Sequence, residues 1–133
     1  MATRSRIGIL ENDGSVTSIY CHWNGYISHN GRILREHYKT EEKVRELISL
    51  GDLSSLGEKI GTKHDFNDRP DKECNFYGRD RGETDVGSRN TSLEEFANQE
   101  EYHYLFDPKT GTWSCYADGD LLTEAQWEEG LAE

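Results

Sequence analysis

Cys21 and His22 are adjacent and together offer a thiol nucleophile and an imidazole base. A cysteine nucleophile needs its base within hydrogen-bond reach. Neighbours on a strand point to opposite faces, so this pair cannot act unaided. His37, His64 or His103 would have to reach Cys21 through the fold. The simpler reading is a buried thiol beside a histidine at the sheet edge. Cys21, His22, Cys74 and Cys115 also form a conceivable zinc set. Structural zinc is usually held by close pairs such as C-x2-C, and the chain has none. Three cysteines, far apart and odd in number, suit free thiols in a reducing compartment. No metal or cofactor is expected.

Arg79-Asp80-Arg81-Gly82-Glu83-Thr84-Asp85 is the densest charged string. A guanidinium fork binds phosphate or carboxylate bidentately. Arg79 and Arg81, with Arg4 and Arg6 and with Trp23 and Tyr77 as stacking surfaces, make a candidate small-molecule or nucleotide site. The alternative is local pairing of these arginines with their acidic neighbours on an exposed turn. Asp80 and Glu83 could hold Mg²⁺ or exchange protons, in competition with the same arginines. If the protein were an enzyme, Cys21, His22, Asp80 and Glu83 would be its candidates. There is no Walker loop, GxGxxG, GxSxG or HExxH.

Charge is segregated along the chain. Ser92 to Glu133 holds eleven acids and one base, Lys109, whereas residues 1 to 91 hold fifteen acids and fourteen bases. A one-signed surface attracts partners of opposite sign and repels nucleic acid. Glu94, Glu95, Glu100, Glu101, Asp118, Asp120, Glu124, Glu128 and Glu129 are therefore the candidate partner-binding residues. The competing reading is a solvated, solubilising face.

These residues need a scaffold. A length of 133 residues fits one domain spanning residues 1–133. Only 33% of the chain is hydrophobic, so the core must draw on seven Tyr, four Phe and three Trp. No signal peptide or membrane-spanning run is visible, so a cytoplasmic location is expected.

Residues 4–12 and 15–23 read as a hairpin around a type I′ turn at Asp13-Gly14. In that register Ile7 faces Tyr20, and Ile7, Ile9, Val16 and Tyr20 share the core side; a three-residue loop with a bulge would shift it. A helix is predicted over 31–39 and a second over 41–50, with Thr40 as N-cap and Gly51 as stop. Leu53, Leu56 and Ile60 suggest a further helical turn. Residues 61–91 form a long polar segment with a strand near 74–79. Ser92 and Thr123 each open a capping box. Residues 102–106 and 112–116 form a second hairpin. The fold class is α+β: an antiparallel or mixed sheet from two hairpins plus a middle strand, with helices packed on one face.

Tyr20-Cys-His-Trp-Asn-Gly-Tyr26, together with the strings at 4–8, 51–57 and 77–83, resembles a family of small phage and prophage proteins of unknown function. The likeness runs from about Thr3 to Phe106, and that family more often has an acid where this chain has Asn24. The resemblance implies a phage protein inside an infected or prophage-bearing bacterial cell. With the charge segregation, this favours a non-enzymatic binding protein that is host-directed or anti-defence and uses its acidic C-terminal face to occupy a basic surface, with an anti-CRISPR inhibitor as one instance. Such a protein would occupy a basic, nucleic-acid-binding surface of a host protein without touching nucleic acid or membrane. A nucleotide binder or sponge is the alternative, and a cysteine-dependent enzyme the third reading.

Overall fold

The computed structural model describes residues 2–133. Its first hairpin pairs β1 (Ser5–Leu10) with β2 (Val16–Cys21), setting Ile7 opposite Ile19 and Ile9 opposite Thr17. This differs by one residue from the register of a two-residue loop, and the turn explains why. Glu11 N donates to Ser15 O at 2.8 Å, which leaves a three-residue loop, and only Gly14 within it has a positive φ, 87°. Asp13 keeps an ordinary backbone and uses its side chain instead: Oδ1 accepts the Ser15 N–H at 2.9 Å. A one-residue slip exchanges the faces of the return strand. Ile19 and Cys21 therefore join Ile7 and Ile9 in the main core, while Val16 turns to the opposite face and Tyr20 is only half-buried. The two-residue turn with two positive φ values occurs at Asp118 (54°) and Gly119 (81°), between β7 (Thr112–Ala117) and β8 (Asp120–Leu121).

One mixed sheet of eight strands results, open at both ends, and the class is α+β. β1 lies at its centre, antiparallel to β2 and parallel to β6 (Tyr102–Asp107). β6, β7 and β8 continue outward as an antiparallel meander. The far edge of β2 is shared: Cys21 pairs in parallel with Leu53 of β3 (Leu53–Ser55), and residues 16–18 pair with β5 (Arg89–Thr91). β4 (Asn75–Phe76) completes that side against β3.

Several local expectations change. Leu53 to Ser55 is a strand, not a helical turn, because these residues complete the edge of β2. The strand expected over 74–79 stops at Phe76, and Tyr77–Arg81 turns into the short helix α3. The helix expected from residue 31 begins as a π-helical turn, Ile27–Gly31, that runs into α1 (Arg32–His37). Helix α2 (Glu41–Ser49) is capped by Thr40 as expected, its side chain accepting from Lys43 N. At α4 (Leu93–Phe96), Ser92 accepts from Glu95 N, and no return bond from Glu95 is made. The full box forms at α5 (Glu124–Leu131), between Thr123 and Gln126.

The main core lies between the sheet and α1, α2 and α5. Ile7, Ile9, Tyr104 and Phe106 meet Leu34, Val44, Leu47 and Trp127 there. Complete burial of one such side chain contributes roughly 1.5–3 kcal/mol. The buried tyrosines keep their polar ends satisfied, Tyr38 Oη donating to Gly57 O at 2.8 Å and Tyr104 Oη to Gly25 O at 2.7 Å, whereas the buried Trp127 Nε1 has no hydrogen-bond partner among the described residues. On the other face, Phe96 of α4 packs with Val16 and Leu105. Gly8 makes room for it, since a Cβ there would stand 2.6 Å from Val16 Cγ1 and 2.9 Å from Phe96 Cε1.

The polar 61–91 segment is organised by Asp80. Its Oδ1 accepts from Arg79 Nε at 2.9 Å and His64 N at 3.1 Å, and its Oδ2 accepts from Phe76 N at 2.8 Å. Arg79 reaches in turn to the carbonyls of Ile60, Gly61 and Cys74. His64 bridges Thr62 O and Asn75 Oδ1. One buried carboxylate and one guanidinium thus tie residues 60–64 to residues 74–80.

Candidate functional site

The Cys21 side chain enters the core and His22 lies on the other side of the strand, as alternation requires. Burial pushes the Cys21 thiol up to about 12. Asn30, itself buried, donates from Nδ2 to Cys21 Sγ at 3.4 Å, to Ser5 Oγ at 3.3 Å and to Trp23 O at 3.3 Å. His22 Nδ1 is engaged by Tyr20 Oη at 2.7 Å. The pair is therefore not a nucleophile and its base. Cys74 sits against Tyr38 Oη at 3.3 Å, and all three cysteines are free and buried. Among the described residues no three His, Cys, Asp or Glu side chains gather as a metal set.

The arginines of the charged string are committed nearby. Arg79 holds Asp80 and three carbonyls, as above. Arg81 pairs with Glu83 and stacks its guanidinium 4.5 Å from the Phe66 ring and 5.0 Å from that of Tyr77. Arg6 is buried and donates to Ser18 Oγ at 3.0 Å and Ser18 O at 3.3 Å. Burial lowers its pKa, against the influence of Asp52. Arg4 is exposed and bears electrostatically on the Tyr20 phenol, as does Tyr77. The six predicted ligand residues thus divide between a sheet-face patch around Tyr20 and the Asp80 node.

The acidic positions divide as well. Glu94 and Glu95 open α4, over one face of the sheet, whereas Glu124, Glu128 and Glu129 lie on α5, over the other. Arg35 of α1 pairs with both Glu124 and Glu128, at 3.4 Å for the latter, and stacks 5.4 Å from the Trp127 ring. Those two carboxylates therefore serve to seat α5. Glu129 remains exposed, as does Asp120 on β8.

The remaining acids converge on one end of the sheet. Ser5 is opposite both Cys21 and Tyr102, so the entry to β1, the exit from β2 and the start of β6 share that end. Glu100 and Glu101 immediately precede β6, and Asp118 follows β7 beside it. Burial raises the Tyr102 phenol pKa, with further contributions from Cys115 and then from Glu133, Glu101 and Asp118. Tyr26, Tyr102 and Glu133 line one small cleft here, of about 210 Å³.

The Tyr20–Tyr26 string reaches the same end. Asn24 adopts φ 59°, and Gly25 N then donates to Thr3 O at 2.8 Å. This reversal leaves Trp23 43% and Tyr26 40% exposed, two of the three large hydrophobic side chains exposed among the described residues. Asn and Asp both tolerate the left-handed region. Sequence reasoning singled out Trp23 but missed Tyr26, Tyr102 and the fixing role of Asn30. The signal for the tyrosines was their nearness to a turn residue and to paired acids.

Family models, curated proteins and solved structures gave no match to this chain. No helix among the described residues is long and apolar enough to cross a membrane.

Proposed function

We propose that this is a non-enzymatic binding protein of phage type that occupies a basic surface on a host protein through one end of its sheet. The observation that carries this reading is the display of Trp23 and Tyr26 at the end where Glu101, Asp118 and Glu133 collect around Tyr102. Protein interfaces draw most of their energy from a few Trp, Tyr and Arg side chains within a polar rim. Here the aromatics supply the anchors and the carboxylates choose a cationic partner. Rings exposed beside carboxylates suit guanidinium and ammonium groups, which favour aromatic faces.

A host protein whose basic surface normally holds nucleic acid fits this chemistry, because carboxylates can stand where phosphates would. An anti-defence role, with inhibition of a CRISPR nuclease as one form, follows from that reading together with the phage resemblance. The test is capture of the partner from bacterial lysate at low and at high salt. Binding should weaken with salt and should be lost in the Trp23→Ala/Tyr26→Ala variant. Partner binding that ignores both would overturn the reading.

A further inference from the structure

A second recess lies away from the acidic end. We propose that the cleft between residues 24–33 and residues 69–73 is a binding site for a sugar phosphate, of which a nucleotide is one form. The cleft encloses about 370 Å³, a size typical of small-molecule sites. Asn24, Ser55, Leu56 and Gly57 line it. Its outer wall is Arg69 to Glu73, pressed onto Gly57 so closely that a Cβ there would stand 2.5 Å from Lys72 O.

The polar groups fit a ligand with an anionic and a hydroxylated part. Arg69 is held by Nη1 donation to Ser55 Oγ at 2.9 Å and has no carboxylate partner among the described residues. Lys72 has none either, and its backbone is left-handed, φ 64°, as is that of Asn24 across the cleft. Long side chains rarely adopt that conformation, and such strain concentrates at ligand sites. Arg32 adds a second guanidinium, oriented by donation to Ser28 O at 3.2 Å and by Glu36 at 3.5 Å. Of the carboxylates lining the cleft, Glu58 faces His37 at 3.4 Å and Glu73 folds against Gly61. Asp71 is left without a partner. A phosphate would take Arg69, Lys72 and Arg32 through charge-assisted hydrogen bonds. Sugar hydroxyls would donate to Asp71, as ribose hydroxyls do to acids elsewhere. A bare anion would face Asp71 unfavourably, and a neutral sugar would leave the cations unmatched.

Isothermal titration tests this with adenosine 5′-monophosphate and ribose 5-phosphate, alongside inorganic phosphate and ribose. At least one sugar phosphate should bind, and affinity should fall about tenfold in Arg69→Ala and in Lys72→Gly with the loss of a charge-assisted contact. Lys72→Gly is the decisive variant, because glycine accepts φ 64° without strain and the fold is retained. Glu101→Lys, at the proposed protein interface, should bind the ligand like the parent. The proposal is overturned if neither sugar phosphate binds at millimolar concentration, if inorganic phosphate binds as tightly, or if Lys72→Gly binds unchanged.

Discussion

Arg79 and Asp80 are sequence neighbours whose side chains fold back on each other, Nε to Oδ1 at 2.9 Å, with the Asp80 side chain fully buried. Burial alone would raise the Asp80 carboxyl, but the Arg79 guanidinium and the N–H groups of Phe76 and His64 hold it below the usual carboxylate range. Removing one partner of such a pair strands the other. Asp80→Ala should therefore cost about 3–5 kcal/mol in chemical denaturation. Asp80→Asn, which keeps one acceptor, should cost less. Equal stability of Asp80→Ala and the parent would mean the 61–91 segment is held by something else.

His103 gives the fold a defined response to acid. Its Nε2 accepts from Glu100 N at 2.7 Å, and its Nδ1 lies 2.9 Å from Tyr116 O, which can only accept. This geometry requires the neutral ring, and burial lowers its pKa below 6.5. The unfolded chain then binds the proton first, so stability is full above about pH 6.5 and declines as pH falls toward the depressed folded value. Denaturation at a series of pH values should show this slope, and His103→Gln should reduce it.

The thiols should be silent in the folded protein. Burial holds Cys21 and Cys115 at about 12, and Cys74 is also raised. Iodoacetamide at neutral pH should label none of them until denaturant is added, since the thiolate is the reactive form. Rapid labelling of Cys21 in the native state would reopen the cysteine-enzyme reading.

Charge reversal should separate the acids by role. Glu124→Lys/Glu128→Lys places two cations against Arg35 and should lower the melting temperature by loosening α5. Glu101→Lys/Asp118→Lys should leave it nearly unchanged, because neither residue has a cationic partner among the described residues. Differential scanning calorimetry on the two variants makes the comparison.

Much of this fold was legible in the chain, and the misreadings have physical causes. Thr40, Gly51 and the Thr123–Gln126 box act locally, so spacing alone placed α2 and α5. The hairpin register was not local in that sense. Asp13-Gly14 and Asp118-Gly119 are the same dipeptide, yet only the second forms the two-residue turn, because Glu11 and Ser15 close a wider loop around the first. β3 and β5 are three-residue strands set by pairings distant in sequence, β5 with β2 and β3 with both β2 and β4. At the site, charge counting found the acids but not their neighbours. Arg35 claims Glu124 and Glu128 from 89 and 93 residues away, a pairing that composition cannot show.

The most direct test of the proposed interface is quantitative affinity capture from bacterial lysate at low ionic strength, about 50 mM, where exposed charges act over the longest range. The parent and the Arg79–Asp80-intact variant Trp23→Ala/Tyr26→Ala/Glu101→Lys/Asp118→Lys would be compared by mass spectrometry. The account predicts that the parent enriches a protein with a basic surface, that the variant folds normally and loses it, and that added salt weakens the parent's binding. Retention of the same partner by the folded variant would contradict it.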